Sequence, residues 1–446
     1  MKKSILILTL SFFSGLNTNM NAQSIAAGVD HSLFLCSNQY PQSRGDNYYG
    51  QLGVSGLTGI VALAAGDDHS LFLKSDGTVW GVGNNGKGQL GNGTNASTLV
   101  PTQVIGLTGI IAIESGRDHS LFLKNDGTAW AVGYNAYGQL GDGTNVNKNI
   151  PVQVMGLSGI TALAGGGLHS LFLKNDGTVW AVGRDVEGQL GDGFNMDKNI
   201  SSQVSGLSGI IAVDAGVDHS NFLKNDGTVW AVGYNASGQL GDGTTVNKNL
   251  AFQIQSLSGI IGISTCGFHS LFLKNNGIVW SVGYNGQGQL GDGTNVNRRT
   301  PVQVQVLTGI IEVAGGSHHS LFLKNDYTVW AVGNNGYGQL GNGNTSNQSI
   351  VDPVLGLCNV TLGSIENITE KVISVYPIPC NDVLFIESEE YQNTIVEILN
   401  LEGQLLQSIP LKSFKTNIQI NNLSNGIYLV QIKSIKGIII KKIVKN

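Results

Sequence analysis

Histidine is the residue of this chain best suited to acid–base or metal chemistry, and its copies are spaced with unusual regularity. Seven histidines each precede a serine: His31, His69, His119, His169, His219, His269 and His319. The last six recur at intervals of 50 residues. Histidines that occur once per repeat are held apart, so we expect each to bond buried backbone groups and not to share a metal ion. The eighth, His318, is expected to face a loop.

Aspartate-containing loops offer a second candidate chemistry, which is calcium binding. Sequences such as Gly-Asp-Gly-Thr-Asn at 141–145 combine a carboxylate with backbone oxygens, and both are calcium ligands. Each such loop carries one carboxylate, so we interpret it as a tight turn and predict neither a metal site nor a cofactor. The turn at 75–80 only faintly resembles the Asp-box of sialidases. We therefore predict no catalytic residues, with a sialidase-like carbohydrate-active enzyme as the alternative.

Composition excludes several classes of protein. Of the 446 residues, 41% are hydrophobic and 12% are charged, which is too apolar a balance for a disordered chain. The net charge of −5 argues against nucleic acid as a partner. No internal segment has the apolar length of a membrane helix.

The N-terminus has the pattern of a signal peptide. Lys2 and Lys3 precede an apolar run over 5–16, and Ala22 stands before a plausible cleavage point. We predict that residues 1–22 are a signal peptide. Export from the cytoplasm makes disulfides permissible.

The 50-residue repeat is typical of four short β-strands. Around His119, apolar runs cover 110–115, 119–124 and 128–133, and a fourth run at 151–154 opens with proline. Four-stranded sheets repeated around an axis form a propeller. The predicted fold is therefore all-β: a seven-bladed β-propeller over residues 23–360, followed by a small immunoglobulin-like β-sandwich.

The repeat resembles the regulator of chromosome condensation repeat family. The resemblance rests on Leu63-Ala-Ala-Gly66-Asp-Asp-His69-Ser-Leu-Phe-Leu73 and on the run from Val82 to Gly91. It implies a seven-bladed propeller. The eukaryotic founder exchanges guanine nucleotide on a nuclear GTPase, a partner that an exported protein would not meet. A secreted bacterial relative inhibits β-lactamase, which is a closer functional analogy.

Three departures from the repeat have structural consequences. The first module is 38 residues long, not 50, so we expect it to lack a proper outer strand. Cys266 replaces the glycine found at Gly66. Tyr327 replaces the turn glycine found at Gly127, so we expect a different turn type there.

Two cysteines stand where the ring of blades must close. Aligned on the repeat, Cys358 matches Ser158 and Cys36 matches Lys174, and we place Ser158 roughly opposite Lys174. We predict that the C-terminal end of the repeats pairs beside 31–36 and that a Cys36–Cys358 disulfide locks it. The alternative is two buried free thiols.

The C-terminal part resembles the type IX secretion sorting domain of Bacteroidetes-type bacteria. We predict a linker over 361–371 and this domain over 372–446. The residues that carry the resemblance are Tyr376, Pro377, Pro379, Gly426, Tyr428, Lys441 and Lys442. The resemblance implies handling by the type IX machinery. The alternative is an ordinary appended immunoglobulin-like domain.

Positions that vary between modules predict a binding face. They lie before each histidine and in the loop between the third and fourth strands, which emerge on one side of an antiparallel blade. The candidates are Asp30, Tyr49, Asp68, Arg117, Tyr134, Tyr137, Arg184, Glu187, Tyr234, Phe268, Tyr284, His318 and Tyr337. We expect a monomeric, secreted or surface-displayed protein that binds a protein or glycan through this face. A purely structural surface protein is the other alternative.

Overall fold

A computed structural model describes residues 22–36, 39–305, 307–357, 374–376, 382–387, 394–400, 404–434 and 437–445. The chain divides into two compact units, Met1–Asn359 and Val360–Asn446. All regular elements in the described residues are β-strands.

The first unit contains seven antiparallel sheets, each built from consecutive strands, which we number blade 1 to blade 7. Blade 1 contains β1 (Ala22–Ala27), β2 (His31–Cys36) and β3 (Pro41–Gly45). Blade 2 contains β4 (Ile60–Ala65), β5 (His69–Lys74), β6 (Val79–Gly83) and β7 (Thr98–Gln103). Blade 3 contains β8 (Ile110–Ser115), β9 (His119–Lys124), β10 (Ala129–Gly133) and β11 (Lys148–Gln153). Blade 4 contains β12 (Ile160–Gly165), β13 (His169–Lys174), β14 (Val179–Gly183) and β15 (Lys198–Gln203).

The last three blades repeat the same plan. Blade 5 contains β16 (Ile210–Ala215), β17 (His219–Lys224), β18 (Val229–Gly233) and β19 (Lys248–Gln253). Blade 6 contains β20 (Ile260–Thr265), β21 (His269–Lys274), β22 (Val279–Gly283) and β23 (Arg298–Gln303). Blade 7 contains β24 (Ile310–Gly315), β25 (His319–Lys324), β26 (Val329–Gly333) and β27 (Gln348–Pro353). The predicted seven-bladed propeller is confirmed.

The core lies between blades, which explains why the second strand of each blade is apolar on both faces. Phe172 of β13 is fully buried in one cluster with Leu121 and Leu123 of blade 3. A sheet sandwiched between two neighbours needs no polar face. The first strands surround a central cavity of about 230 Å³.

Blade 1 has no fourth strand, as the short first module predicts. Residues 39–59, which the structure describes in full, add only β3 to this sheet. Pro41 opens β3, and proline suits an edge strand because it donates no ladder hydrogen bond.

The ring closes between blades 7 and 1 in the same way as between other neighbours. Ile25 and Phe34 share a core cluster with Leu321 and Leu323. The prediction that the C-terminal end of the repeats pairs beside 31–36 is wrong. The N-terminal strand β1 pairs along β2 and β3 occupies its other edge, so both sides of β2 are taken.

Two of the four cysteines, Cys36 and Cys266, lie in the described residues. Cys36 is disulfide-bonded, whereas Cys266 is a buried free thiol. Cys358 lies outside the described residues, so its pairing with Cys36 stays a prediction. The expected register is corrected by two residues, because Ile160, and not Ser158, stands opposite Lys174.

The different turn expected at Tyr327 is also wrong. Tyr327 has φ of 65°, close to the 78° of Gly127, and its N–H donates to Lys324 O over 2.8 Å as the glycine's does to Lys124 O. The hairpin frame forces the left-handed conformation on a tyrosine, which L-residues adopt at a cost.

The second unit is a small β-sandwich with its own core. One sheet contains β28 (Ser374–Tyr376), β29 (Val383–Glu387) and β32 (Lys415–Gln419). The other contains β30 (Ile395–Leu399), β31 (Leu405–Pro410), β33 (Gly426–Ser434) and β34 (Gly437–Lys445). Leu384, Ile398 and Ile418 lie in the cluster that joins the two sheets.

Candidate functional site

The repeated histidines form a closed ring of hydrogen bonds between blades. Each His Nε2 contacts the hydroxyl of the serine that follows the histidine of the next blade. The pairs are His31–Ser70 (3.0 Å), His69–Ser120 (3.0 Å), His119–Ser170 (2.9 Å), His169–Ser220 (2.9 Å), His219–Ser270 (3.0 Å), His269–Ser320 (2.8 Å) and His319–Ser32 (2.9 Å). The partners are therefore side chains of neighbouring blades, and the expectation of backbone partners is wrong.

The serine hydroxyl fixes the tautomer of each histidine. Ser170 donates to the carbonyl of Gln139 over 2.8 Å, so its oxygen must accept from His119 Nε2–H. The Nδ1 atom then carries no proton, and it has no partner within the described residues. Burial lowers the pKa of His119 to about 4, which keeps the ring neutral. The repeated histidines thus attach blade to blade.

The two variable loops of each blade lie against each other, as predicted. In blade 3 the backbone N–H of Tyr134, after the third strand, donates to the carbonyl of Asp118, before the histidine, over 2.8 Å. The same bond joins Tyr284 to Phe268 over 2.9 Å. All thirteen predicted face residues are exposed or half-buried. We call this surface the loop face.

Backbone bonds between the loops before the histidines stiffen the loop face. Arg117 N donates to Gly166 O over 3.2 Å, and Gly267 N donates to Gly316 O over 3.2 Å. Ser317 N donates to Gly28 O over 3.2 Å, which carries the pattern across the closing junction. The side chains of the loop face are therefore attached to loops whose backbones are bonded to one another.

Four aromatic rings are in contact across blades 5 to 7. Phe268 contacts Tyr234 and His318 with ring centroids 6.5 and 6.0 Å apart, and Tyr284 contacts His318 at 5.7 Å. All three contacts are edge-to-face, the geometry that aromatic quadrupoles favour. We call Tyr234, Phe268, Tyr284 and His318 the aromatic sector.

The part of the loop face on blades 1 to 3 carries four carboxylates together with Arg117, which lies 3.7 Å from Asp118. We call Asp30, Asp67, Asp68 and Asp118 the acidic sector. Burial raises the pKa of Asp67 to about 7 against the opposing effect of Arg117, 3.0 Å away. Burial raises the pKa of Asp68 as well, and the neighbouring Asp118 raises it further. The sectors adjoin, since the electrostatic influence of His318 reaches Asp30.

Sequence reasoning missed a buried glutamine beneath each junction. Gln89, Gln189 and Gln339 donate to the aspartate before the next histidine, for example Gln339 Nε2 to Asp30 over 2.9 Å. Where that aspartate is replaced by Leu168, Phe268 or His318, the amide nitrogen finds no partner in the described chain. These donors belong to Gln139, Gln239 and Gln289. The signal was readable, because this glutamine recurs in every module.

Several predicted face residues already bond to one another. Arg184 donates to Asp218 over 2.5 Å and lies 3.7 Å from Glu187. Tyr134 and Tyr137 are in edge-to-face contact at 6.2 Å. Tyr49 contacts the exposed Tyr48 at 4.9 Å, and Tyr337 projects into solvent with 59% exposure. Arg184 and Glu187 are thus held in a network and are less free to meet a ligand.

Three carboxylates of the central cavity were not anticipated. Glu114, Asp214 and Glu312 come from the first strands of blades 3, 5 and 7 and line the cavity. Burial, helped by the negative charge of Asp214, raises the pKa of Glu114 to about 8. Within the described residues, no group of three His, Cys, Asp or Glu side chains has the arrangement of a metal site.

The residues predicted to carry the sorting function fall into two groups. Tyr428 is buried, and its hydroxyl donates to Ser424 O over 2.7 Å, which pins the start of β33. Lys441 and Lys442 lie in β34. Pro377 and Pro379 lie outside the described residues.

Family profiles match both units. An RCC1-like domain matches residues 55–265, and the regulator of chromosome condensation (RCC1) repeat matches 276–323 and 310–339. A secretion system C-terminal sorting domain matches 374–446 and points to export. No described helix has the length and apolarity to cross a membrane.

Solved propellers show the same fold. Human WBSCR16 is 24% identical over 69% of this chain and 87% of its own, with a TM-score of 0.63. Prp20p from Saccharomyces cerevisiae is 21% identical over 75% of this chain and 87% of its own, with a TM-score of 0.61. Yeast RCC1 (Prp20) bound to Kap60 is 19% identical over 79% and 89%, with a TM-score of 0.63. No curated protein matches the sequence.

Proposed function

We propose that this protein, a propeller of regulator of chromosome condensation repeats joined to a secretion sorting domain, is a secreted or surface-displayed binding protein. Its ligand is a polypeptide with basic side chains, held on the loop face. The C-terminal domain delivers it by the type IX route. The protein is not an enzyme in this proposal, and the rigid blades only present the loops.

The observation that carries the proposal is the junction of an acidic and an aromatic sector on one rigid surface. Half-buried carboxylates that repel one another are stabilised when a cation joins them. Aromatic rings contribute apolar area at little entropic cost and attract cations at their faces. A segment in which Lys or Arg alternates with apolar residues therefore suits both sectors at once.

A binding measurement with the purified full-length chain tests the proposal. Immobilised basic peptides of varied sequence and a glycan array are probed side by side. Asp68→Asn with Asp118→Asn should weaken peptide capture by at least about tenfold, and so should Phe268→Ala. Asp126→Asn with Asp226→Asn is the matched control, because Asn276 naturally occupies this hairpin position in blade 6.

The outcomes separate the alternatives. The proposal is supported if the acidic-sector double variant and Phe268→Ala both lose peptide capture while the hairpin control keeps it. Capture of glycans alone, or turnover of sialosides, would assign the loop face to carbohydrate. Peptide capture that neither face variant alters would move the binding site elsewhere on the chain.

A further inference from the structure

One loop of blade 4 differs from its counterparts in a way that changes its chemistry. A fully buried asparagine follows the third strand of blades 2, 3, 5, 6 and 7: Asn85, Asn135, Asn235, Asn285 and Asn335. Blade 4 has Asp185 at this position, and it is equally buried. The replacement exchanges an amide donor for a carboxylate oxygen that only accepts.

The hydrogen bonds of the asparagine in the other blades show which groups surround this side chain. In blade 3, Asn135 Oδ1 accepts the N–H of Leu140, while its Nδ2 donates to three oxygens within 3.2 Å. These are Asp142 Oδ1 at 3.0 Å, Thr144 O at 3.1 Å and Val146 O at 3.2 Å. Blades 5 and 6 repeat the same three contacts within 0.2 Å. The side-chain amide therefore sits in a nest of acceptors.

Blade 4 keeps the frame of this nest. Leu190 N–H donates to Asp185 Oδ1 over 2.8 Å, as Leu140 does to Asn135. Phe194 N–H donates to Asp192 Oδ1 over 2.9 Å, as Thr144 does to Asp142. With Oδ1 so engaged, Asp185 Oδ2 takes the place of the amide nitrogen. This oxygen has no hydrogen-bond partner among the described residues.

We propose that blade 4 binds a calcium ion through Asp185 Oδ2, the carboxylate of Asp192 and the backbone carbonyls of Phe194 and Met196. Calcium prefers carboxylate and carbonyl oxygens at about 2.3–2.6 Å, and oxygens around one such ion lie roughly 3 Å apart. The spacing of the nest in the other blades matches this. In the other blades, the amide hydrogens of the asparagine place positive charge among these oxygens. In blade 4, the calcium ion does so instead.

A lysine and a serine already contact one oxygen of Asp192, since Ser202 Oγ donates to Asp192 Oδ2 over 3.1 Å. Lys198 Nζ lies 2.9 Å from Asp192 Oδ2, the same pairing that Lys148 makes with Asp142, so it does not distinguish blade 4. Phe194 and Met196 are 61% and 70% exposed, so the loop lies at the surface where an ion enters.

Asp197 offers an internal comparison. Its Oδ1 accepts the backbone N–H of Asp185 over 2.8 Å, and Asn147 makes the same bond to Asn135 in blade 3. Asp197→Asn therefore removes one charge from the loop and leaves the proposed ligands in place. Asp185→Asn restores the residue that all six other blades have here, including Asn47 of blade 1, so it should fold.

Calcium titration by calorimetry and by thermal melting of the chelator-treated full-length protein tests the site. The wild type should bind one ion with a dissociation constant of about 10⁻⁴–10⁻³ M, as extracellular calcium modules do, and melt higher with calcium. Asp185→Asn should weaken binding by at least about tenfold and make melting insensitive to calcium. Asp197→Asn should bind within a few-fold of the wild type.

Three results would overturn the site. They are a wild type that takes up no calcium at millimolar concentration, an Asp185→Asn variant that binds as the wild type does, and an Asp197→Asn variant that loses binding as fully as Asp185→Asn. None of these results bears on peptide capture by the loop face, so the two proposals fail independently.

Discussion

His319 Nε2 of blade 7 lies 2.9 Å from Ser32 Oγ of blade 1, and this bond completes the ring of blades. The two residues are 287 positions apart in the chain, yet their geometry matches that of pairs 51 positions apart. Closure therefore uses the same chemistry as every other junction.

Removing one serine hydroxyl should cost about 2 kcal/mol of unfolding free energy, because a buried histidine donor and a buried glutamine carbonyl each lose a partner. We expect Ser32→Ala at the closing junction and Ser170→Ala at an internal one to shift urea unfolding similarly. Thr108→Ala, at an exposed threonine in another loop, serves as the control. A much smaller effect of Ser32→Ala would mean that the closing bond contributes little.

Acid should unfold the propeller through its histidines. Burial lowers the pKa of His69 and of His169 to about 3, below the unfolded value of about 6.5. The unfolded chain then binds protons that the folded chain rejects, so the contribution of the histidines to stability is full above pH 6.5 and falls steadily towards pH 4. Melting temperatures measured from pH 8 to pH 4 check this. A flat profile over that interval would contradict neutral, buried rings.

Glu114, unlike the histidines, should make the propeller less stable as the pH rises. Burial raises its pKa to about 8, so its contribution to stability is complete below the unfolded pKa and is lost as the pH rises through 8. Glu114→Gln should therefore raise the melting temperature by a few degrees at pH 9 and leave it unchanged at pH 4. A gain of equal size at both pH values would show that the effect is not one of ionisation.

Tyr327→Gly should stabilise blade 7 by about 1 kcal/mol, because glycine adopts the positive φ of this hairpin without steric cost. Tyr327→Ala removes the same ring and keeps the strained backbone, so it should bring no gain. Chemical denaturation of the two variants separates relief of strain from loss of packing. Equal effects of both substitutions would assign any change to the side chain.

The bond formed by Cys36 is predicted to join Cys358. Peptide mapping with and without reduction should show a fragment that links 31–36 to the end of the repeats. The chain-entropy model gives about 5–6 kcal/mol for a loop of roughly 320 residues, so reduction should lower the melting temperature markedly. A bond from Cys36 to Cys380 would be the contrary result.

The repeat period predicted the blades well because each strand is a local pattern of apolar residues. The runs at 110–115 and 119–124 match β8 and β9 to the residue. The partner of each histidine was missed because it lies in another blade, and only packing of blades brings the two together. The recurrence of serine after every histidine was the available signal. The replacement of asparagine by Asp185 was readable in the repeat, but the nest around it could not be predicted, since two of its oxygens belong to backbone carbonyls that carry no sequence signature.

Because every blade both donates one histidine bond and accepts another, the ring has no first or last member. The chain enters at β1 and leaves after β27, but the bonds between blades do not record that order. A circularly permuted chain, opened between any two blades and joined across the present termini of the propeller, would keep all seven junctions. The present order of blades along the chain is thus one of seven orders that would preserve these bonds.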